Sequence, residues 1–249
     1  DEALALAIAA GGKGERGEDD VTLRALLLDA GNTVVYLDHA AIAEELGLDV
    51  HAVRDAEGPA KHRYEASLRE GGSHEDGWFR YVRDVIAGAG ALPSSSLGDL
   101  DAQVRHLRSV HDRFNLWRRV PDGLVDALDA IRADGWAVGV VSNSEGRLAE
   151  LFTRLGIARL FDVVIDSALV GLQKPDPRIF HRATDALGVR PEEAVYLGDI
   201  PAVDVDGAYA AGLSAILIDT FDVFPDFDRA PRFRETRDAI EALRARRVP

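Results

Sequence analysis

The chain has 249 residues, 47% of them hydrophobic and 29% charged, with a formal net charge of −14. That composition supports a sizeable core and excludes general disorder, and the length suits one core domain carrying a modest insertion. The acidity argues against nucleic acid as a partner, the want of any run of about 18 apolar residues argues against a membrane span, and the absence of cysteine excludes disulfides, thiolate metal sites and cysteine nucleophiles, which fits a reducing cytoplasm.

Residues 1–21 run from an alanine-rich stretch through four glycines to an acidic patch, which predicts a flexible leader with no secretory pattern. Ala25-Leu26-Leu27-Leu28 then forms a short continuous apolar run ending in Asp29. Such a run suits a strand buried on both faces of a parallel sheet. From 37 to 118 apolar residues recur at three- and four-residue steps, as in Trp78, Phe79, Val82, Val85 and Ile86 and again in Leu100, Val104, Leu107 and Val110. This predicts an all-helical block of about four helices, with Trp78 and Phe79 as packing residues. The segment Asn115–Pro121 reads as the hinge back to the core.

After Pro121 helices and strands alternate. Helix 122–134 precedes strand 137–142, helix 146–155 precedes strand 161–166, and helix 176–187 precedes strand 194–199. Helix 203–211 precedes strand 214–219, and a last helix covers 234–246. Repeated strand–helix units imply a Rossmann-like α/β core with a parallel sheet and right-handed crossovers. The expected division is a core of 22–36 and 119–249 with the helical block 37–118 inserted after the first strand.

Ligands of open parallel sheets bind beyond the carboxyl ends of the strands. Asp29, the pair Ser142-Asn143 and Asp199 all fall at such ends, and Lys174 lies in the loop after the third strand. Each has a bland reading of its own: a helix cap for the aspartates, a turn for Ser-Asn, a solvated surface group for the lysine. Their convergence on one sheet edge favours a site. Lys174 carries extra weight because only three of the 29 basic residues, Lys13, Lys61 and Lys174, are lysines.

The order of these residues resembles the haloacid dehalogenase (HAD) superfamily. Asp29-Ala30-Gly31-Asn32-Thr33 resembles its first motif and Val140-Val141-Ser142-Asn143 its second. Gly171-Leu172-Gln173-Lys174-Pro175 resembles the third, and Gly198-Asp199 with Asp204 five residues on resembles the fourth. The four stand in the family's order over about 24–220, and the helical block sits where the family places its C1 cap. The resemblance implies a hydrolase in which Asp29 takes up a phosphoryl group. It also implies Mg²⁺ bound by Asp29, the Gly31 carbonyl and Asp199, with Asp204 completing the shell or ordering its water. Lys174 would neutralise nucleophile and phosphoryl group, while Ser142, Asn143 and the backbone of Gly31 and Asn32 would bind phosphoryl oxygens. The implied partner is a small phosphorylated metabolite, and the implied state a monomer or homodimer.

One departure stands out. The family's phosphatases carry an acid–base aspartate two residues after the nucleophile, where this chain has Gly31. Such a group is worth about 10²–10⁴-fold. A phosphatase or phosphotransferase with a good leaving group is one reading. A 2-haloacid dehalogenase-like enzyme also lacks that aspartate, but Asp199 and Asp204 argue against it. A phosphonate-cleaving enzyme would need a Schiff-base lysine in the cap, for which Lys61 is the sole candidate; the bland reading of Lys61 is a surface lysine. A degenerate, non-catalytic binding module is the alternative outside enzymology, and Asp29, Lys174 and Asp199 together argue against it.

Overall fold

The computed structural model describes residues 22–71, 77–91 and 98–246. The leader expected over 1–21 lies outside the described residues. The fold is α/β, and its chain divides into two compact units.

The first unit comprises the core around a six-stranded sheet, ordered β5-β4-β1-β6-β7-β8 and parallel throughout. At its centre β1 (Ala25–Leu28) pairs with β4 (Ala137–Ser142) on one side and β6 (Ala194–Gly198) on the other. All four β1 residues are fully buried, which explains a strand without polar alternation. Each such leucine contributes about 2 kcal/mol of apolar burial. Outward lie β5 (Val163–Asp166) beside β4, then β7 (Ser214–Ile218) and the edge strand β8 (Arg232–Phe233) beyond β6. The two-residue β8 is missing from the sequence reading because a strand that short shows no alternation.

The register places the end of β1 within two residues of those of β4 and β6: Leu28 stands opposite Val140 and Leu197. Asp29 therefore emerges where Ser142 and Asp199 also leave the sheet. One crossover helix has a clear start and stop. Helix Pro177–Leu187 has Asp176 as N-cap, proline in its first turn and Gly188 in the left-handed conformation at its end. The helix expected from 203 begins differently, as a π-turn over Pro201–Val205 that runs into a short α-helix, Asp206–Ala210.

The second unit comprises Leu37–Arg119 together with Phe221–Pro225. It contains α1 (His39–Leu46), α2 (Val50–Arg69), α3 (Gly77–Gly88) and α4 (Leu100–Arg113). Leu37, Ile42, Val53, Val82, Val85, Ile86 and Leu107 are among the residues of its apolar centre. Trp78 packs against that centre, with its ring against His111, while Phe79 is 42% exposed and packs at the margin, its ring edge-on to Trp78, because Tyr81, Val82, Val85 and Ile86 occupy the inner face of α3. The hinge segment forms a strand, β3 (Trp117–Arg119), which pairs with β2 (Tyr36–Leu37) as a separate two-stranded sheet.

Lys61 is not a surface lysine. Its side chain is fully buried, with Nζ 6.0 Å and 5.8 Å from the ring centroids of Phe221 and Phe224. Glu57 and Glu65, one helical turn before and after it on α2, are buried as well. Glu57 in turn accepts a hydrogen bond from Tyr81 Oη at 3.0 Å and is paired with His39. The cover over Lys61 comes from 160 residues further along the chain, which local pattern does not reveal.

Candidate active site

Three strand ends and two loops of the core build the site. Asp29 follows β1 with its backbone N–H bonded to the Leu197 carbonyl of β6, 2.8 Å away. The next turn is tight. Val34 and Val35 N–H both return to the Ala30 carbonyl, and Asn32 N–H bonds the Val35 carbonyl at 2.8 Å. The left-handed residue of this turn is Asn32, with φ 53°, and not Gly31. Asparagine is one of the few side chains that tolerate that region.

Lys174 is the hub. It is 2% exposed, and its Nζ donates to Asp29 Oδ1 at 2.6 Å, Asp204 Oδ1 at 2.6 Å and the Tyr196 hydroxyl at 2.7 Å. Burial works against its charge, but Asp204 and Asp29 more than offset that and raise its pKa above the ordinary lysine range. Its backbone is clamped as well. The Asn143 side chain donates Nδ2–H to the Lys174 carbonyl at 2.9 Å and accepts the Lys174 N–H at Oδ1, 2.8 Å. Pairing with one acceptor and one donor fixes the amide's orientation. In the structure Asn143 thus holds the lysine loop, a role the sequence reading did not give it.

Asp199 and Asp204 follow β6. The π-turn returns the Asp204 carboxylate to the strand end, where Oδ2 accepts the backbone N–H groups of Asp199 at 2.9 Å and Ile200 at 2.8 Å. Gly198 makes this approach possible. A Cβ there would lie 2.4 Å from Asp204 Cγ. Tyr196, one turn of the strand earlier, is fully buried; its hydroxyl donates to the Val141 carbonyl at 2.8 Å. Burial, and then the charges of Asp204 and Asp29, push this phenol well above its ordinary range, so it stays protonated. Tyr196 was missed in the sequence reading. The available signal was a hydroxyl in an otherwise apolar strand, which has to find a polar partner.

Asp29, Asp199 and Asp204 each offer one carboxylate oxygen, and these atoms lie within 4.8 Å of one another. All three are buried, and the Lys174 ammonium pairs with two of them, Asp29 and Asp204. Burial, partly opposed by Lys174 and reinforced by Asp204, raises the Asp29 pKa. Three buried carboxylates that bring hard oxygen donors this close together fit Mg²⁺. Ser142, 5% exposed, stands at the end of β4, the strand beside β1. The sheet edge therefore brings Asp29, Ser142, Lys174, Asp199 and Asp204 together, with Asn143 behind the lysine and Gly31-Asn32 in the adjoining turn.

The parallel α/β core thus gathers an aspartate–lysine pair and two further aspartates beyond its strand ends. The profile of the haloacid dehalogenase-like hydrolases matches residues 23–212, and the chain belongs to that family. It is 30% identical over 211 residues to haloacid dehalogenase-like hydrolase domain-containing protein 3 of Bos taurus, covering 79% of this chain and 82% of that one. It is also 36% identical over 141 residues to phosphoserine phosphatase of Thermus thermophilus, covering 56% of this chain and 53% of the phosphatase. A glyceraldehyde 3-phosphate phosphatase of Methanothermobacter thermautotrophicus is 38% identical over 155 residues, 61% of this chain and 65% of that protein. The chain thus spans about half to two thirds of these two phosphatases. Among solved structures, a HAD phosphatase from Thermococcus onnurineus matches with TM-score 0.58 and 21% identity, over 89% of this chain and 98% of that one. A 2-haloacid dehalogenase from Pseudomonas syringae matches with TM-score 0.53 and 22% identity, over 90% and 99%. Both chemistries share this fold, so the fold does not choose between them.

Proposed function

We propose that the protein is a Mg²⁺-dependent phosphatase or phosphotransferase that acts on a small phosphorylated metabolite through an aspartyl-phosphate at Asp29. The observation that carries this reading is the cluster of three buried carboxylates around Lys174. A halide-displacing aspartate needs no such acidic set, whereas an anionic phosphoryl group approaching a carboxylate needs cations beside it. The relatives named as phosphatases support the same choice. Asp29 and Asp199 would hold the ion, with the Gly31 carbonyl and Asp204 beside them, and the ion would neutralise phosphoryl charge.

The chain's own residues would act as follows. An Asp29 carboxylate oxygen bonds to phosphorus as the bond to the leaving oxygen breaks, and that oxygen departs with the electron pair. Lys174 and the Ser142 hydroxyl donate hydrogen bonds to the transferring group. Water then attacks phosphorus, releasing inorganic phosphate and restoring the Asp29 carboxylate; an acceptor hydroxyl in place of water gives transfer. With Gly31 in the acid–base position, a departing alkoxide draws its proton from solvent, which favours substrates with good leaving groups such as acyl phosphates. The helical unit 37–119 would serve as the cap that selects the substrate, while the core residues serve the phosphoryl group alone.

Asp29→Asn is nearly isosteric but not nucleophilic. It should abolish phosphate release from para-nitrophenyl phosphate while leaving the circular dichroism spectrum unchanged, and comparable turnover by mutant and parent would remove Asp29 from this role. The parent should lose phosphatase activity to a chelator. Halide release from 2-chloropropionate in the presence of EDTA would instead establish a dehalogenase.

A further inference from the structure

The Lys174 ammonium has three N–H bonds and meets three acceptors, Asp29 Oδ1, Asp204 Oδ1 and the Tyr196 hydroxyl, all within 2.7 Å. Two of the three are themselves tied down. Asp204 is held through Oδ2 by two backbone N–H groups. The Tyr196 O–H has two acceptors in reach, the Val141 carbonyl at 2.8 Å and Asp204 Oδ1 at 3.3 Å. The first is shorter, and Asp204 Oδ1 already takes a lysine N–H. With its proton on Val141, the phenol turns a lone pair toward the ammonium. Asp29 differs from both: as the nucleophile it must free an oxygen to bond phosphorus.

We propose that Tyr196 is a positioning residue, which with Asp204 pins two N–H bonds of Lys174 so that the third, now on Asp29, passes to a phosphoryl oxygen as Asp29 attacks. The exchange moves a hydrogen bond and no proton. The ammonium can turn only about its Cε–Nζ bond, and each anchor deepens the well that holds that rotation. With Asp204 as the sole anchor the well is shallower, and the ammonium can rotate until two N–H bonds straddle Asp29 and engage lone pairs that the attack requires. Two anchors prevent this, and both lie on the interior side, on or just after β6. The inference rests on the phosphoryl-transfer reading above.

Tyr196→Phe tests it, because the ring keeps its edge-on contact with Phe180, 5.0 Å between centroids. With para-nitrophenyl phosphate and Mg²⁺, kcat should fall about ten- to hundredfold, as expected for losing a hydrogen bond to a charged group, with KM changing less than about threefold. Because this variant also orphans the Val141 carbonyl, a second one, Tyr196→3-fluorotyrosine, keeps the O–H bond to that carbonyl, as a stronger donor, and weakens the oxygen as acceptor. It should lower kcat about two- to fivefold at unchanged Tm. Phe180→Leu loosens the same packing without touching the lysine, and should lower Tm and leave kcat as in the parent. Parent-like kcat in both tyrosine variants would overturn the proposal. So would a fall in Tyr196→Phe that Phe180→Leu reproduces at equal loss of Tm. Failure of the phosphoryl-transfer reading itself shows elsewhere, as activity surviving in Asp29→Asn.

Discussion

At the scale of single residues, the use of lysine and arginine is informative. Arginine takes the exposed ion pairs, such as Arg63 with Asp84 and Arg159 with Asp129. The two lysines among the described residues, Lys61 and Lys174, are both buried. Lys174 shows why. Three acceptors converge on one nitrogen, which a compact ammonium satisfies and a planar, forked guanidinium does not. Lys174→Arg should therefore behave as a loss of function despite keeping the charge, with kcat down by about 10²-fold or more. Near-parent kcat in a folded Lys174→Arg protein would show that charge alone suffices. Gly31 allows the opposite experiment. Its backbone is not left-handed, since Asn32 takes that conformation, so a side chain at 31 meets no penalty of that kind. Gly31→Asp should restore a proton donor for the leaving oxygen. Sugar phosphates should then speed up relative to para-nitrophenyl phosphate, whose leaving group needs no proton. A ratio of the two rates unchanged from the parent would mean that the reaction already has its acid or requires none.

At the scale of elements, the buried strands and their polar ends were the legible part. Ala137–Ser142 is a strand over the residues expected, and Ala194–Gly198 and Ser214–Ile218 end one residue short of expectation. Continuous apolar runs announce strands covered on both faces, and the carboxyl-end rule then gathers Asp29, Ser142 and Asp199. What escaped depends on partners distant in sequence. Tyr196 faces Val141 and Lys174, and Lys61 is covered by Phe221 and Phe224. The π-turn 201–205 also escaped, since its apolar spacing passes for an α-helix. Its function is geometric: it folds Asp204 back onto Gly198. Gly198→Ala would press a methyl group against Asp204 Cγ and Cβ, at 2.4 and 2.5 Å before any shift. These atoms are close to the backbone and have little room to give, so the variant should lose about 1–3 kcal/mol of stability. Because Asp204 anchors Lys174, kcat should fall as well. Parent-like Tm and kcat would show that the π-turn yields freely.

At the scale of the whole molecule, two charge distributions must be kept apart. The chain carries −14 overall, so any added salt screens repulsion across its surface. The site gathers three buried carboxylates within a few ångströms, two of them paired with the Lys174 ammonium, where bulk salt does not reach. A divalent ion at the site acts by mass action on the folded state alone, because the unfolded chain separates residues 29, 199 and 204. At a hundred times its Kd it should stabilise by about 2.7 kcal/mol, or raise Tm by about 5–10 °C for a chain of this size. NaCl at matched ionic strength should give only the surface part of that shift. Asp199→Asn removes one buried charge and one ligand. Relief of repulsion should keep this variant as stable as the parent in EDTA, while most of its response to Mg²⁺ disappears. Differential scanning calorimetry of both proteins in EDTA, NaCl and MgCl₂ separates the two effects. A Mg²⁺ shift in the parent no larger than that of matched NaCl, or an undiminished shift in Asp199→Asn, would place the ion elsewhere on this acidic surface.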